Sequence, residues 1–541
     1  MKLKSLLLIL SLCVSPLFAQ NKYYVSATKG DDTNDGTMWS KAFATLQPAL
    51  EKAVANDEIW IAAGTYYPTK SISEENTDKS QYNSFVLPKG IKLYGGFPAQ
   101  ADDNTGISQR NWEAYPTILS GDFNDDDEDF ANMDENAYHV LILIEADKQT
   151  VVDGFTITGG NAGEVKTINV NGTPVFNHCG GGVYAAVISG SLETSPTLNN
   201  VIIEYNKASY DGGGIYNYAE RGEANPIITN ATIRNNKAER NGGGFYNDAV
   251  TGTSPVLTNV IISGNEAGKT GGGIYCDSER EITAPVLTNV LICGNKANDA
   301  GGMVCYSYDN VTPVLTNVTI VGNYANDEGG GFACRAEDGR NGISSPKIYN
   351  SVIWGNKAAD FPNIYNYGYT GSNPKIYYSL IEEEPGDDAA GNLDVNTDPE
   401  FISAVSADFA PTSDGNYQLD KFSPLINSGN NKFVSVDKDL NGKTRIVDGT
   451  VDIGAYEYPE TGGGPTNNEY ISIENNQLWA SGGNLYVNIK EPTTIRIYTV
   501  DGTLFYQENR SAEGSKVISL PAGIYFVSLN NSTKAKIHVT Q

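Results

Sequence analysis

Three features of this sequence predict an all-β fold built as a stacked solenoid, a parallel β-helix. The first is an internal repeat, cleanest at Pro255–Asp277 (PVLTNVIISGNEAGKTGGGIYCD). It recurs from Pro196, Pro226, Pro285 and Pro313 and, in decayed form, from Pro346. A fixed period of this size means a quasi-one-dimensional array whose units bury their apolar faces against each other. The second is that no copy carries a helical apolar pattern; each offers two short β-rich runs and Gly/Asn turn chemistry. The third is register. An Asn falls before the second strand at Asn200, Asn230, Asn259, Asn289, Asn317 and Asn350. Asn tolerates the left-handed backbone that a sharp bend needs, and its amide can hydrogen-bond the same amide one coil away, so this column reads as a structural ladder. An unvarying Ile follows at Ile203, Ile233, Ile262, Ile292, Ile320 and Ile353, which strand alternation points inward, next to a chemically mixed outward column from Glu204 and Arg234 to Trp354.

A chain of 541 residues is too long for one compact core, but a solenoid accommodates it because each coil packs only on its neighbours. The net charge is −28, or −30 once Lys2 and Lys4 leave with the leader (35 basic against 65 acidic). That disfavours nucleic acid or an anionic membrane as a partner held by charge. Of the six cysteines, Cys13 lies in the leader. Cys276, Cys305 and Cys334 share one slot, 29 residues apart, which Asn217 and Asn247 fill in earlier copies. A row of this kind reads as an inward column, not a zinc site, which needs convergent ligands.

Residues 1–19 have the charged start, apolar Leu6–Leu12 run and small-residue end of a signal peptide. From Asn21, a first strand and a Gly/Asp turn precede an amphipathic helix around Phe43–Ala55, placed to cap the open end of the solenoid, and then the strand Glu58–Ala63. Lys89–Gly96 and Thr117–Gly121 read as early coil strands. Asp122–Glu135 reads as a solvated acidic loop: its alternate acids lack the Gly and the closing carboxylate of a calcium loop. Val151–Asn161 is the first recognisable rung, with Asp153 where later coils place Asn, and regular coils run to about Asn366. Asp437, Asp439 and Asn441, with Asp448 twelfth, match the first half of a calcium loop, so calcium is the cofactor this spacing would accept. The β-helix ends near Tyr458. Residues 459–468 (PETGGGPTNN) form a linker, and 469–541 alternates polar and apolar in short runs, the pattern of a small antiparallel β-sandwich.

The stretch GDDTNDGT…SKAFATLQPALEKA…DEIWIAAGTY resembles the start of exported right-handed parallel β-helix proteins of the pectate-lyase-like superfamily. The GN-x-A…GGG-I-Y repeats are similar to those of polymorphic outer-membrane proteins. Asp437–Gly442 with Val451–Glu457 resembles the closing motif of choice-of-anchor Q members, which implies the end of the solenoid. The tail, through Leu520, Gly523, Ile524 and Tyr525 and the basic finish at Lys534 and Lys536, resembles the C-terminal sorting domain of the type IX secretion system. That resemblance implies a Gram-negative exporter as partner, passage through periplasm and outer membrane, and release or attachment at the cell surface.

These superfamilies hold lyases, hydrolases and non-enzymatic adhesins alike, so the resemblance implies fold and not chemistry. The chain has only His139, His178 and His538, none flanked by Gly on both sides, and no Arg-x-Lys occurs. It has no nucleophile elbow, phosphate loop or zinc motif. The first expectation is therefore a surface or secreted scaffold that binds polysaccharide or a cell surface, with Tyr205, Tyr216, Tyr246, Tyr275 and Trp354 as outward rings for sugars. The alternative is a polysaccharide lyase or hydrolase acting on acidic glycans.

Overall fold

The structure is a computed structural model that describes residues 20–187, 194–336, 342–382, 391–459 and, with short breaks at the turns, 471–539. The leader at 1–19 and residues 460–468 of the expected linker lie outside the described residues. The chain divides into two compact units between Tyr458 and Pro459.

The first unit is a parallel β-solenoid of about ten turns. Three stacked sheets form its walls. A 16-stranded sheet, here sheet I, carries the eight-residue strands of the repeat, such as Thr197–Glu204, Ile227–Arg234 and Val256–Ser263. A nine-stranded sheet II carries five-residue strands such as Ile215–Ala219, Phe245–Ala249 and Ile274–Ser278. A six-stranded sheet III is made of residue pairs from Asn161–Ala162 to Tyr324–Ala325. Adjacent coils pair without slippage: Ile203 meets Ile233, which meets Ile262, then Ile292, Ile320 and Ile353. All six side chains are fully buried in one continuous core. Cys276, Cys305 and Cys334 are likewise buried in register, in line with Asn217 and Asn247.

The glycine run has two separate physical tasks. The first glycine takes a left-handed backbone (Gly212 at φ 68°, Gly242 at 63°, Gly271 at 72°). The next two lie where a side chain would strike the neighbouring coil. A Cβ on Gly243 would stand 2.4 Å from Glu266 O, and one on Gly244 2.8 Å from Gly273 O.

Three elements differ from the sequence reading. The capping helix is shorter, Gln47–Lys52, because Pro48 falls in its first turn, where a missing N–H costs nothing, and so sets the start of the helix. Its Ala49 and Leu50 pack into the end of the main core. In the first rung, Asp153 pairs with Asn199 and not Asn200; the left-handed slot belongs to Gly154, at φ 89°. Finally, the segment after Asn392 turns back along the outer face of sheet I. Thr412 N bonds Gly294 O at 2.9 Å, Gly454 N bonds Asn350 O at 2.8 Å, and Tyr417, Ala455 and Tyr456 cover Leu291, Cys293 and Val321. The outward column is therefore roofed over at Ser263, Cys293 and Val321; it stays partly open at Trp354 and in early coils, where Arg234 Nε bonds Glu204 Oε2 at 2.7 Å.

The second unit holds two four-stranded antiparallel sheets. One includes Asn484–Ile489 and Gly514–Ser519, the other Thr493–Thr499 and Gly523–Leu529. Leu485, Val487, Ile495, Ile497, Val527 and Leu529 from both sheets share one buried cluster. Among the described residues no helix is long and apolar enough to cross a membrane.

Candidate functional site

The six expected ladder asparagines all adopt the left-handed backbone, φ between 48° and 55°. Three are joined directly: Asn259 Nδ2 donates to Asn230 Oδ1 at 3.1 Å and Asn289 Nδ2 to Asn259 Oδ1 at 3.0 Å. The others turn elsewhere, Asn200 to Asp153 Oδ1, Asn317 to Asp452 O and Asn350 to Asn430 O. A second ladder was not read from the sequence. Asn206, Asn236, Asn265, Asn295, Asn323 and Asn356, the Asn of each N-x-A motif, are buried, and each Nδ2 down to Asn323 donates to the next Oδ1 at 2.9–3.1 Å. Its signal was the fixed spacing, which is the same for both columns; the second is buried along its whole length, the first only at Asn289, Asn317 and Asn350.

Among the described residues the carboxylates of Asp437, Asp439 and Asp448 do not lie within 4.8 Å of one another as a group. Asp439, 1% exposed, accepts the N–H groups of Asn441 and Lys443 on Oδ1 and of Glu457 on Oδ2. The charge of Asp439, Asp452 and Glu457 is answered by Arg445, which is fully buried and donates to Ala455 O, Asp452 O and Gly454 O at 2.7–3.0 Å. A guanidinium holds this closing segment together. In the tail, Leu520 and Tyr525 are buried, Gly523 opens its strand, and Lys534 and Lys536 lie on Lys534–Val539.

The outward rings are also redistributed. Tyr184, Tyr216, Tyr246 and Tyr275 stack along sheet II at 5.3, 5.1 and 5.0 Å, with interplanar angles falling from 25° to 1°. The hairpin Thr167–Val170/Thr173–Phe176 packs against this column, with Tyr184 Oη accepting from Phe176 N, so Tyr216 and Tyr246 are buried and closed to a sugar. Next to the stack, Asp248 and Asp277 are register partners on neighbouring coils. Tyr246 Oη donates to Asp248 Oδ2 at 2.7 Å and Tyr275 Oη to Asp277 Oδ2 at 2.9 Å, while both Oδ1 atoms are shut from solvent without a partner. Burial, and then Asp277, hold the Asp248 carboxyl well above the usual range; burial raises Asp277 to about 7. Burial thus favours the protonated form of both groups over that of an exposed carboxyl.

Tyr205, 41% exposed, faces a cavity of about 490 Å³. The solenoid wall supplies Thr65, Ile118, Ser120 and Thr158; the acidic loop supplies Asp122, Asp125, Asp127, Glu128 and Phe130. Phe130 stands 6.3 Å from Tyr205, ring to ring. The loop is tied down at both ends. Asp122 accepts the N–H groups of Asn124, Asp125 and Asp126 on Oδ1, and Asn136 Nδ2 donates to Asp127 Oδ2 at 2.7 Å and Gly159 O at 2.8 Å. Burial pushes Asp127 up to about 6, against the Asn136 amide and with Asp122, Glu135 and Asp126 acting in the same direction. The arrangement gathers aromatic rings and hydrogen-bond acceptors around one open cleft.

Residues 481–540 match the family of the secretion system C-terminal sorting domain, and residues 200–218 and 259–277 match the Chlamydia polymorphic membrane protein repeat. No curated protein matches the sequence. Among solved structures, pectate lyase Pel9A is similar at 13% identity and a TM-score of 0.42, covering 81% of this chain and 97% of that one. A rhamnogalacturonan lyase is similar at 13% identity and 0.30, covering 74% and 97%. The GH136 lacto-N-biosidase from Eubacterium ramulus follows at 12% and 0.26, covering 66% and 67%. The chain is a parallel β-solenoid whose tail matches the C-terminal sorting domain of the type IX secretion route.

Proposed function

We propose that this is a secreted or surface-attached scaffold of a Gram-negative bacterium, delivered through periplasm and outer membrane by the type IX machinery, that binds glycan in the cavity between the acidic loop and the solenoid wall. The observation that carries this reading is the pairing of Phe130 and Tyr205 with a wall of carboxylates around about 490 Å³. Ring faces stack on the C–H faces of sugars, and carboxylates accept from hydroxyls, so the match is to a polyhydroxylated ligand. The net charge of −28 and the acids at the cavity favour neutral over uronate-rich chains. Full-length protein titrated with neutral and acidic polysaccharides tests it. Saturable binding that Tyr205→Ala weakens, without turnover, is the expected result; binding indifferent to Tyr205→Ala and Phe130→Ala would overturn the assignment of the cavity.

A second reading, a polysaccharide hydrolase or lyase, is favoured by the Asp248–Asp277 pair, because acid–base catalysis needs one carboxyl protonated beside another near its operating pH. Reducing ends or unsaturated product formed by the native chain and abolished by Asp277→Asn would establish it.

A further inference from the structure

We infer that Asp122, Asp126, Asp127 and Glu135, with the amide oxygen of Asn136, form a calcium site that pins the loop 122–136 against the solenoid. One carboxylate oxygen from each of the four acids lies within 4.8 Å of the others, the only such group among the described residues. That span is what opposite ligands of a calcium ion show, at about 2.4 Å per bond, and calcium takes 6–8 oxygens in an adaptable shell.

An acidic cluster alone is common on an exposed loop; buried oxygens without donors are not. Asn136 is 1% exposed, and its Nδ2, 2.7 Å from Asp127 Oδ2, lays the amide against the cluster. Its Oδ1 is shut from solvent with no hydrogen-bond partner, as are Asp127 Oδ1 and Glu135 Oε1. Three acceptors thus lack donors, two on acids of the group and one on the side chain bonded to it, and buried polar atoms are otherwise almost always partnered. A cation satisfies all three at once, which no single donor does.

Around Asp439, Asp452 and Glu457 the buried charge is answered by Arg445. Around Asp122 no lysine or arginine pairs with any of the four acids among the described residues. Asp122 also anchors the loop backbone, but its Oδ2 accepts only a 3.3 Å contact from Asp127 N and keeps lone pairs for a metal. The site stands on these contacts, independently of whether glycan enters the cavity.

The test uses the full chain, stripped with a chelator, and terbium as the probe, displaced by calcium. Tyr205 lines the adjoining cavity, so tyrosine-sensitised terbium emission that saturates at one ion per chain is expected, with calcium competing. Asp126→Asn with Glu135→Gln should weaken both ions by at least about tenfold while the far-ultraviolet spectrum is unchanged; Asp437→Asn should change nothing. Calcium should also slow cleavage of the native loop by a protease that cuts at aspartate, a reading that needs no variant. Absence of a saturable site, equal affinity in the double variant, or loss through Asp437→Asn instead would overturn the inference. If the double variant fails to fold, the single Asp126→Asn and the protection of native loop decide the matter in the same way.

Discussion

Replacing Asn265 by Ala tests whether the buried ladder or the surface ladder holds the coils in register. Asn265 is fully buried and makes four contacts of 2.9–3.0 Å. Its Oδ1 accepts the Asn236 N–H and Nδ2; its Nδ2 donates to Ile233 O and Asn295 Oδ1. Alanine leaves the Asn236 N–H without this acceptor in a dry interior, at about 1–3 kcal/mol, and removes one partner from each of three further groups, at about 0.5–1.5 kcal/mol apiece. The expected loss is on the order of 2.5–7.5 kcal/mol. At the surface column the same change is milder. Asn259 bonds Asn230 and Asn289 at the solvent edge, where water substitutes, and Ala chiefly meets the left-handed backbone at φ 55°, about 1–2 kcal/mol. Asn259→Gly, free of that strain, should cost less still. Thermal melts of the full chain by circular dichroism, read as an order of midpoints because a two-unit chain is not two-state, give the comparison. Asn265→Ala should melt lowest, then Asn259→Ala, then Asn259→Gly. An Asn265→Ala midpoint equal to or above that of Asn259→Ala would refute the reasoning.

Gly244→Ala should destabilise by an amount comparable to Asn265→Ala, since its Cβ would meet Gly273 O at 2.8 Å and the Asn265 amide at 2.9 Å; an unchanged melt would show that the coils separate freely. His139 is fully buried and burial lowers it to about 4, against about 6.5 unfolded, so the unfolded chain binds the extra proton below pH 6.5. Its contribution, on the order of 3 kcal/mol, is present above pH 6.5 and lost as pH falls towards 4; the stability–pH profile of His139→Gln should lack that part of the acid slope, and identical slopes would count against it. Deleting Tyr470–Gln541 should leave the solenoid folded, because the two units have separate cores, and should trap it in the periplasm; surface delivery of the truncated chain would contradict the sorting role.

The solenoid, its inward Ile column and its Cys and Asn slots were legible in the sequence because each coil packs on its neighbours, so one period states every contact. The alternating tail was legible for a similar reason: alternation along a strand is a local rule. What the repeat could not state is depth. The Asn columns headed by Asn200 and Asn206 have the same spacing, and only the packing of the glycine turns shows the second to be buried along its whole length, while the first is covered at Asn289, Asn317 and Asn350. Nor could it state what docks from outside. A hairpin near Thr167 closes Tyr216 and Tyr246 to solvent, a segment near Thr412 roofs Cys293, and Asn136 meets Asp127 beneath a loop that reads as solvated. These contacts have no period. They join stretches whose composition is that of ordinary loops, and which surface each one covers depends on shape and charge complementarity that exists only once the coils are stacked.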